Sequence, residues 1–165
     1  MKTFCFTLMI GASLLLCSNG IKAQTEQTIP DQVKLFNQFL GTWQAETGKD
    51  TVEFWDIQHF GNPFEMNAYR VVNGKKTILY KTNIGFDFEA SKLVGFMIWY
   101  YGNYQTWIAS FTSEKRLSMS MVNNLNPASA YSNYEITFLN PTEFTLTHFT
   151  KEGTVDLKYQ FSKVK

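Results

Sequence analysis

Cysteine is nearly absent: the 165 residues hold two, Cys5 and Cys17, both inside an apolar N-terminal stretch. Once that stretch is removed, no thiol remains to form a disulfide, bind zinc or attack a substrate, so stability must come from packing. Charge of one sign is also lacking, with 15 basic residues against 14 acidic ones. The lysines are scattered, and only Lys75 and Lys76 are adjacent. A dedicated nucleic-acid binder, which needs a basic face, is thereby excluded. Imidazole is limited to His59 and His148, and guanidinium to Arg70 and Arg116. No His-x-His, Gly-x-Ser-x-Gly, Gly-x-Gly-x-x-Gly or phosphate-cradling Gly-Lys-Ser/Thr occurs, so no motif announces a catalytic or nucleotide site. Asp56 and His59 lie three apart in a strand-like run, hence on opposite faces, and do not form a metal pair.

Residues 1–23 combine one early positive charge, Lys2, with an apolar run over 4–16 and the small residue Ala23 before Gln24. This pattern predicts a secretory signal peptide cleaved after Ala23 and a secreted or periplasmic product. The apolar run falls short of the roughly 20 residues that a membrane-spanning helix requires. Lipid anchoring at Cys17 is disfavoured, because Leu14, Leu15 and Leu16 precede it where a small residue is needed. The remaining residues, 24–165, are expected to form a single domain.

What the chain has in quantity is core-forming material: 44% hydrophobic and 16% aromatic residues, too much for a disordered polymer. Residues 28–40 carry a helical pattern, with Thr28 as cap, Pro30 and Asp31 in the first turn, and Val33, Phe36 and Leu40 on one stripe ended by Gly41. Such a short amphipathic helix needs an apolar surface to lie against. Beyond it, turn clusters every 11 to 16 residues separate ten strand-like runs. These are residues 42–46, 51–59, 64–72, 76–86, 92–100, 105–112, 116–122, 130–139, 143–150 and 154–164. The spacing suits antiparallel hairpins and leaves no room for crossover helices. In the last run, Val155, Leu157, Tyr159 and Phe161 alternate with polar residues; in the fourth, Ile78, Tyr80, Ile84 and Phe86 share one parity. The fifth is apolar on both faces. Ten meandering strands laid flat would leave open edges, so the expectation is an all-β, antiparallel up-and-down barrel with the helix closing one end. A barrel this wide leaves interior space for a ligand.

The segment Phe39-Leu40-Gly41-Thr42-Trp43, a helix followed by Gly-x-Trp entering the first strand, resembles the signature of the lipocalin and calycin superfamily. The stretch Ile84-Gly85-Phe86-Asp87 followed by Lys92-Leu93-Val94-Gly95-Phe96 is similar to the Gly-Tyr-Asp turn of bacterial secreted lipocalin-like domains of unknown function. The resemblance covers the topology of residues 24–165 and about 15 residues of motif. It implies that Trp43 packs across the closed end under the helix and that Arg70 or Arg116 lies over its indole. True lipocalins carry a disulfide and a C-terminal helix, both missing here, so the chain looks more like the fatty-acid-binding and nitrobindin-like ten-stranded branches. Lys158 and Tyr159 stand where the Arg-x-Tyr of fatty-acid-binding proteins would be sought, and Ala45 and Thr47 break the nitrobindin glycine motif.

The candidate ligand-binding set is Arg70, Tyr80, Phe96, Trp99, Trp107, His148 and Tyr159; the structural set is Gly41, Trp43 and Arg116. Arg70 shares a parity with Met66 and Ala68, and an inward guanidinium can clamp a ligand carboxylate; a structural role over the indole is its alternative. Trp99, Tyr100, Tyr101, Tyr104 and Trp107 gather around one hairpin, suited either to a ligand entrance or to cross-strand stabilisation. His148 shares a parity with Phe144 and Leu146; it is either a hydrogen-bonded core or rim residue or, by the nitrobindin resemblance, an axial haem ligand. Glu53 with Glu65 or Glu135 forms a carboxylate pair only if the fold brings them together. The resemblance also admits a calycin-type enzyme using Tyr, Arg and Glu in the cavity. The expected partner is a small, mainly hydrophobic molecule, without cofactor, nucleic acid or membrane span.

Overall fold

A computed structural model describes residues 31–165; the signal-peptide, Thr28 and Cys17 expectations lie outside them. The ten strands are β1 (Gly41–Gly48), β2 (Thr51–His59), β3 (Phe64–Val72), β4 (Lys75–Asp87), β5 (Lys92–Trp99), β6 (Tyr104–Ser113), β7 (Arg116–Val122), β8 (Ser132–Asn140), β9 (Glu143–Phe149) and β10 (Val155–Lys163). Each pairs antiparallel with its sequence neighbour, and β1 pairs with β10 to close the barrel. Closure removes the edges that ten hairpin-linked strands would otherwise expose. The seam is short: Trp43 stands opposite Lys163 and Gln44 opposite Ser162.

The helix is shorter than its sequence pattern. Helix α1 spans Gln32–Phe36 and tightens into a 3-10 turn over Asn37–Phe39. Its cap is Asp31, whose carboxylate accepts the Lys34 amide at 3.0 Å. Gln32, buried despite its polarity, accepts the Phe111 amide at 2.6 Å and so ties the helix to β6. Phe36 and Phe39 drop into one end of the barrel, where Phe39 meets Phe138 and Phe144 at ring separations of 4.8 and 5.5 Å. The chain enters β1 through Gly41 at φ +110°, a conformation that L side chains rarely adopt.

Trp43 completes this plug. It is fully buried, its indole N–H donates to the Phe39 carbonyl at 2.7 Å, and its ring packs on Phe144 at 4.8 Å. The cation above it is neither Arg70 nor Arg116 but Lys163, 5.2 Å from the ring centroid. The physical reason is the seam, which sets Lys163 directly beside Trp43. A Cβ on Gly41 would stand 2.8 Å from Lys163 Cε, so the glycine of Gly-x-Trp makes room for the lysine stem. Arg116 instead pairs with Glu135 at 3.3 Å on the outer surface.

Alternation along the strands follows the expected period except where the register shifts. In β4 the partners step from Ala68 opposite Tyr80 to Tyr69 opposite Ile78, so Leu79 is left over as a bulge. Leu79 turns to the interior and Ile78 becomes 64% exposed, reversing the expected parity beyond Tyr80.

On the outer face Glu65 is buried beneath Lys81 at 2.8 Å and Gln58 at 2.6 Å. Those two hydrogen bonds hold its carboxyl below the usual glutamate range, Lys81 contributing most. A depressed folded-state value means that the stabilisation is present above the unfolded-state value and is lost as pH falls through the folded one. Thermal melts of Glu65→Gln across the acid range should therefore show a shallower decline than wild type. Equal slopes for the two proteins would show that this carboxylate does not contribute.

Candidate functional site

Between the aromatic plug and the open end lies a cavity of about 340 Å³. Phe36 and Phe39 form its floor. Met66, Met97, Met119 and Met121 supply four flexible thioether walls, a lining that adapts to the shape of an apolar guest. Trp55 and Trp107, both buried, stand on opposite stretches of the wall.

Trp107 reaches the interior because Gly95, directly opposite it on β5, has no side chain. A Cβ at Gly95 would overlap the indole ring, so the glycine is the socket in which that tryptophan lies. The same register turns Gly95 and Met97 inward and Phe96 outward. Phe96 is 43% exposed and stacks on Tyr104 at 5.4 Å, outside the cavity.

The cavity has one polar wall. Glu53 accepts the Trp55 indole N–H at 2.9 Å and lies 3.9 Å from Arg70 Nη2. Arg70 lines the cavity, and its Nε is buried without a hydrogen bond. Tyr80 borders the same wall; burial first, and the Glu53 charge second, push its phenol pKa well above the usual value. Tyr80 therefore keeps its proton and remains a neutral donor. Trp99 packs edge-on against Tyr80 at 4.8 Å and donates its indole N–H to Gln105 at 2.9 Å. Tyr159 and Tyr134 face the cavity from the opposite side.

Of the sequence-predicted set, Arg70, Tyr80, Trp99, Trp107 and Tyr159 thus line one space. Tyr100, Tyr101 and Tyr104 are exposed around the open end. His148 is outside the lining, at the rim, with its ring 4.6 Å from that of Tyr134. Nε2 lies 2.7 Å from Ser132 Oγ, and Nδ1 lies 2.6 Å from Asp156 Oδ1. Both ring nitrogens of His148 are thus engaged by neighbouring side chains. Among the described residues no group of three or more His, Cys, Asp or Glu is placed to hold a metal ion.

Glu53 went unrecognised as a wall residue, although it shares a parity with Trp55 and Ile57, and that alternation was sufficient to find it. The four methionines gave a weaker signal, since each sits in a run whose inward face is fixed only by the pairing.

Among the described residues no helix is long and apolar enough to cross a membrane. The closed ten-strand antiparallel barrel is consistent with a calycin-like fold. No family model and no curated protein sequence matches the chain.

Proposed function

We propose that this chain is an exported lipocalin-like barrel that binds a small, mainly apolar molecule bearing one hydrogen-bond acceptor. The observation that carries this reading is the cavity itself, apolar on most sides with Arg70 and Tyr80 as donors on one wall. Burying about 200 Å² of apolar guest surface would contribute roughly 5 kcal/mol before association costs. Arg70 gives direction, because its Nε is a buried donor without a hydrogen-bond partner. With Glu53 already offsetting the guanidinium charge, a carbonyl or hydroxyl oxygen suits the wall as well as a carboxylate does.

Native mass spectrometry of the purified protein is expected to show a co-purifying apolar molecule, and an environment-sensitive apolar dye should bind and be displaced by fatty alcohols or acids. No dye uptake and no displacement would reject the reading. Arg70→Met should weaken binding of acceptor-bearing ligands about tenfold, the value of a lost charge-assisted hydrogen bond, while leaving a plain hydrocarbon probe unaffected. Equal weakening for both probes would remove Arg70 from the proposed contact. Export is tested by sequencing the N-terminus of the protein recovered outside the cytoplasm, where Gln24 is expected first.

A further inference from the structure

Three consecutive strands bring Ser132, His148 and Asp156 together at the open end of the barrel. Ser132 precedes Tyr134 and Ile136 on the inward parity of β8, and His148 follows Phe144 and Leu146 on that of β9. Regular alternation in β10 would turn Asp156 away from them, because its neighbour Leu157 borders the cavity. The register shift between Val155 and Leu157 sets it instead against His148. The resulting chain of contacts is short, with Ser132 Oγ 2.7 Å from Nε2 and Asp156 Oδ1 2.6 Å from Nδ1. His148 is 22% exposed and Asp156 46%, so a substrate arriving at the rim can reach the group.

We propose that Ser132, His148 and Asp156 are a nucleophilic triad that hydrolyses esters of apolar acids, with the acyl chain seated in the cavity. This rests on the proposed binding of apolar guests there. A carboxylate only accepts, so Nδ1 carries the ring proton toward Asp156 and leaves Nε2 as the acceptor for the Ser132 hydroxyl. That is the tautomer a general base requires. Ser132 Oγ attacks the ester carbonyl carbon while its proton passes to Nε2. The C–O bond to the alcohol then breaks, and the imidazolium returns the proton to the departing alkoxide. Water, deprotonated in turn by Nε2, attacks the acyl-serine; the acid leaves and Ser132 recovers its proton. Ser132 and His148 touch the reacting atoms, whereas Asp156 acts as a positioning residue through the ring. Tyr134, whose ring lies 4.6 Å from that of His148, and Leu157, which stands opposite His148 in the sheet, both line the cavity, so the acyl chain would pass beside them.

The full chain is assayed with p-nitrophenyl acetate, butyrate and octanoate and with a fluorophosphonate probe. Expected are turnover that rises with acyl length and a single covalent adduct mapping to Ser132. Ser132→Ala should lower kcat/KM about 10³-fold or more with an unchanged melting temperature. Asp156→Asn should lower kcat while leaving KM and dye affinity intact, a split that a merely structural role would not produce. Absence of both turnover and adduct in the wild-type protein, or turnover retained in Ser132→Ala, overturns the proposal. Should a variant fail to fold, the adduct site on the wild-type chain still decides. A protein that takes up the apolar dye yet neither turns over esters nor reacts with the probe retains its binding function and loses only the triad. Failure of dye uptake and turnover together removes both.

Discussion

Trp43→Ala is expected to destabilise the protein by about 3–5 kcal/mol, lowering the melting temperature by roughly 10 to 20 °C. The indole is fully buried, and its removal opens a void between Phe144, Phe138 and the helix. It also strips the Phe39 carbonyl of its donor and leaves Lys163 without the ring beneath it. Trp43→Phe separates these contributions. Most of the apolar volume returns, so the residual loss should be about 1–2 kcal/mol, the cost of a buried carbonyl left unsatisfied. Chemical denaturation of both variants checks this, and a Trp43→Phe protein as stable as wild type would show that the hydrogen bond is immaterial. Because Phe36 and Phe39 are also the cavity floor, the alanine variant should bind the apolar dye more weakly even at temperatures where it remains folded.

Gly95→Ala is expected to cost about 3 kcal/mol, at the upper end for overpacking by a single methyl. The new Cβ overlaps a rigid, buried indole held between neighbouring strands, so Trp107 must leave its socket or the β5 and β6 backbones must part. Either response changes the cavity wall, and dye affinity should fall together with stability. Trp107→Ala removes the clash, so the double variant should lose less than the sum of the two single losses. Additive losses would mean that the two residues do not meet as described. Such a measurement is informative beyond stability, since it tests the inward direction of a strand whose two faces are equally apolar.

That ambiguity explains much of what the sequence showed and what it hid. Ten turn-separated runs, a short capped helix and Gly-x-Trp were sufficient for the barrel and its plugged end, because local alternation and turn chemistry agree with the global topology. Parity brought Arg70 and Tyr80 into the candidate set and the aromatic cluster around one hairpin brought in Trp107, and all three line the cavity. Phe96 was misplaced for a physical reason: β5 is apolar on both faces, and only the small residue Gly95 opposite a buried tryptophan marks the inner one. Ile78 and Asp156 were lost to register shifts, which single residues create and alternation does not record. Lys163 escaped notice as the partner of Trp43 because their proximity depends on closure between residues about 120 apart in sequence. The contacts of His148 with Ser132 and Asp156 are of the same kind, each residue unremarkable in its own strand.

Closure through β1 and β10 also bears on how the molecule is made. Every other strand pairing forms within one hairpin, but β1 meets its second partner only once β10 has been synthesised. Until Ser162 and Lys163 arrive, the nascent polypeptide is a curling ribbon with two unsatisfied margins, the state most open to pairing with a stranger. A barrel of this topology is therefore committed to late sealing, and its rate of maturation is governed by a contact of the greatest separation in the sequence. A chain truncated before that point would retain its hairpins and still have no inside.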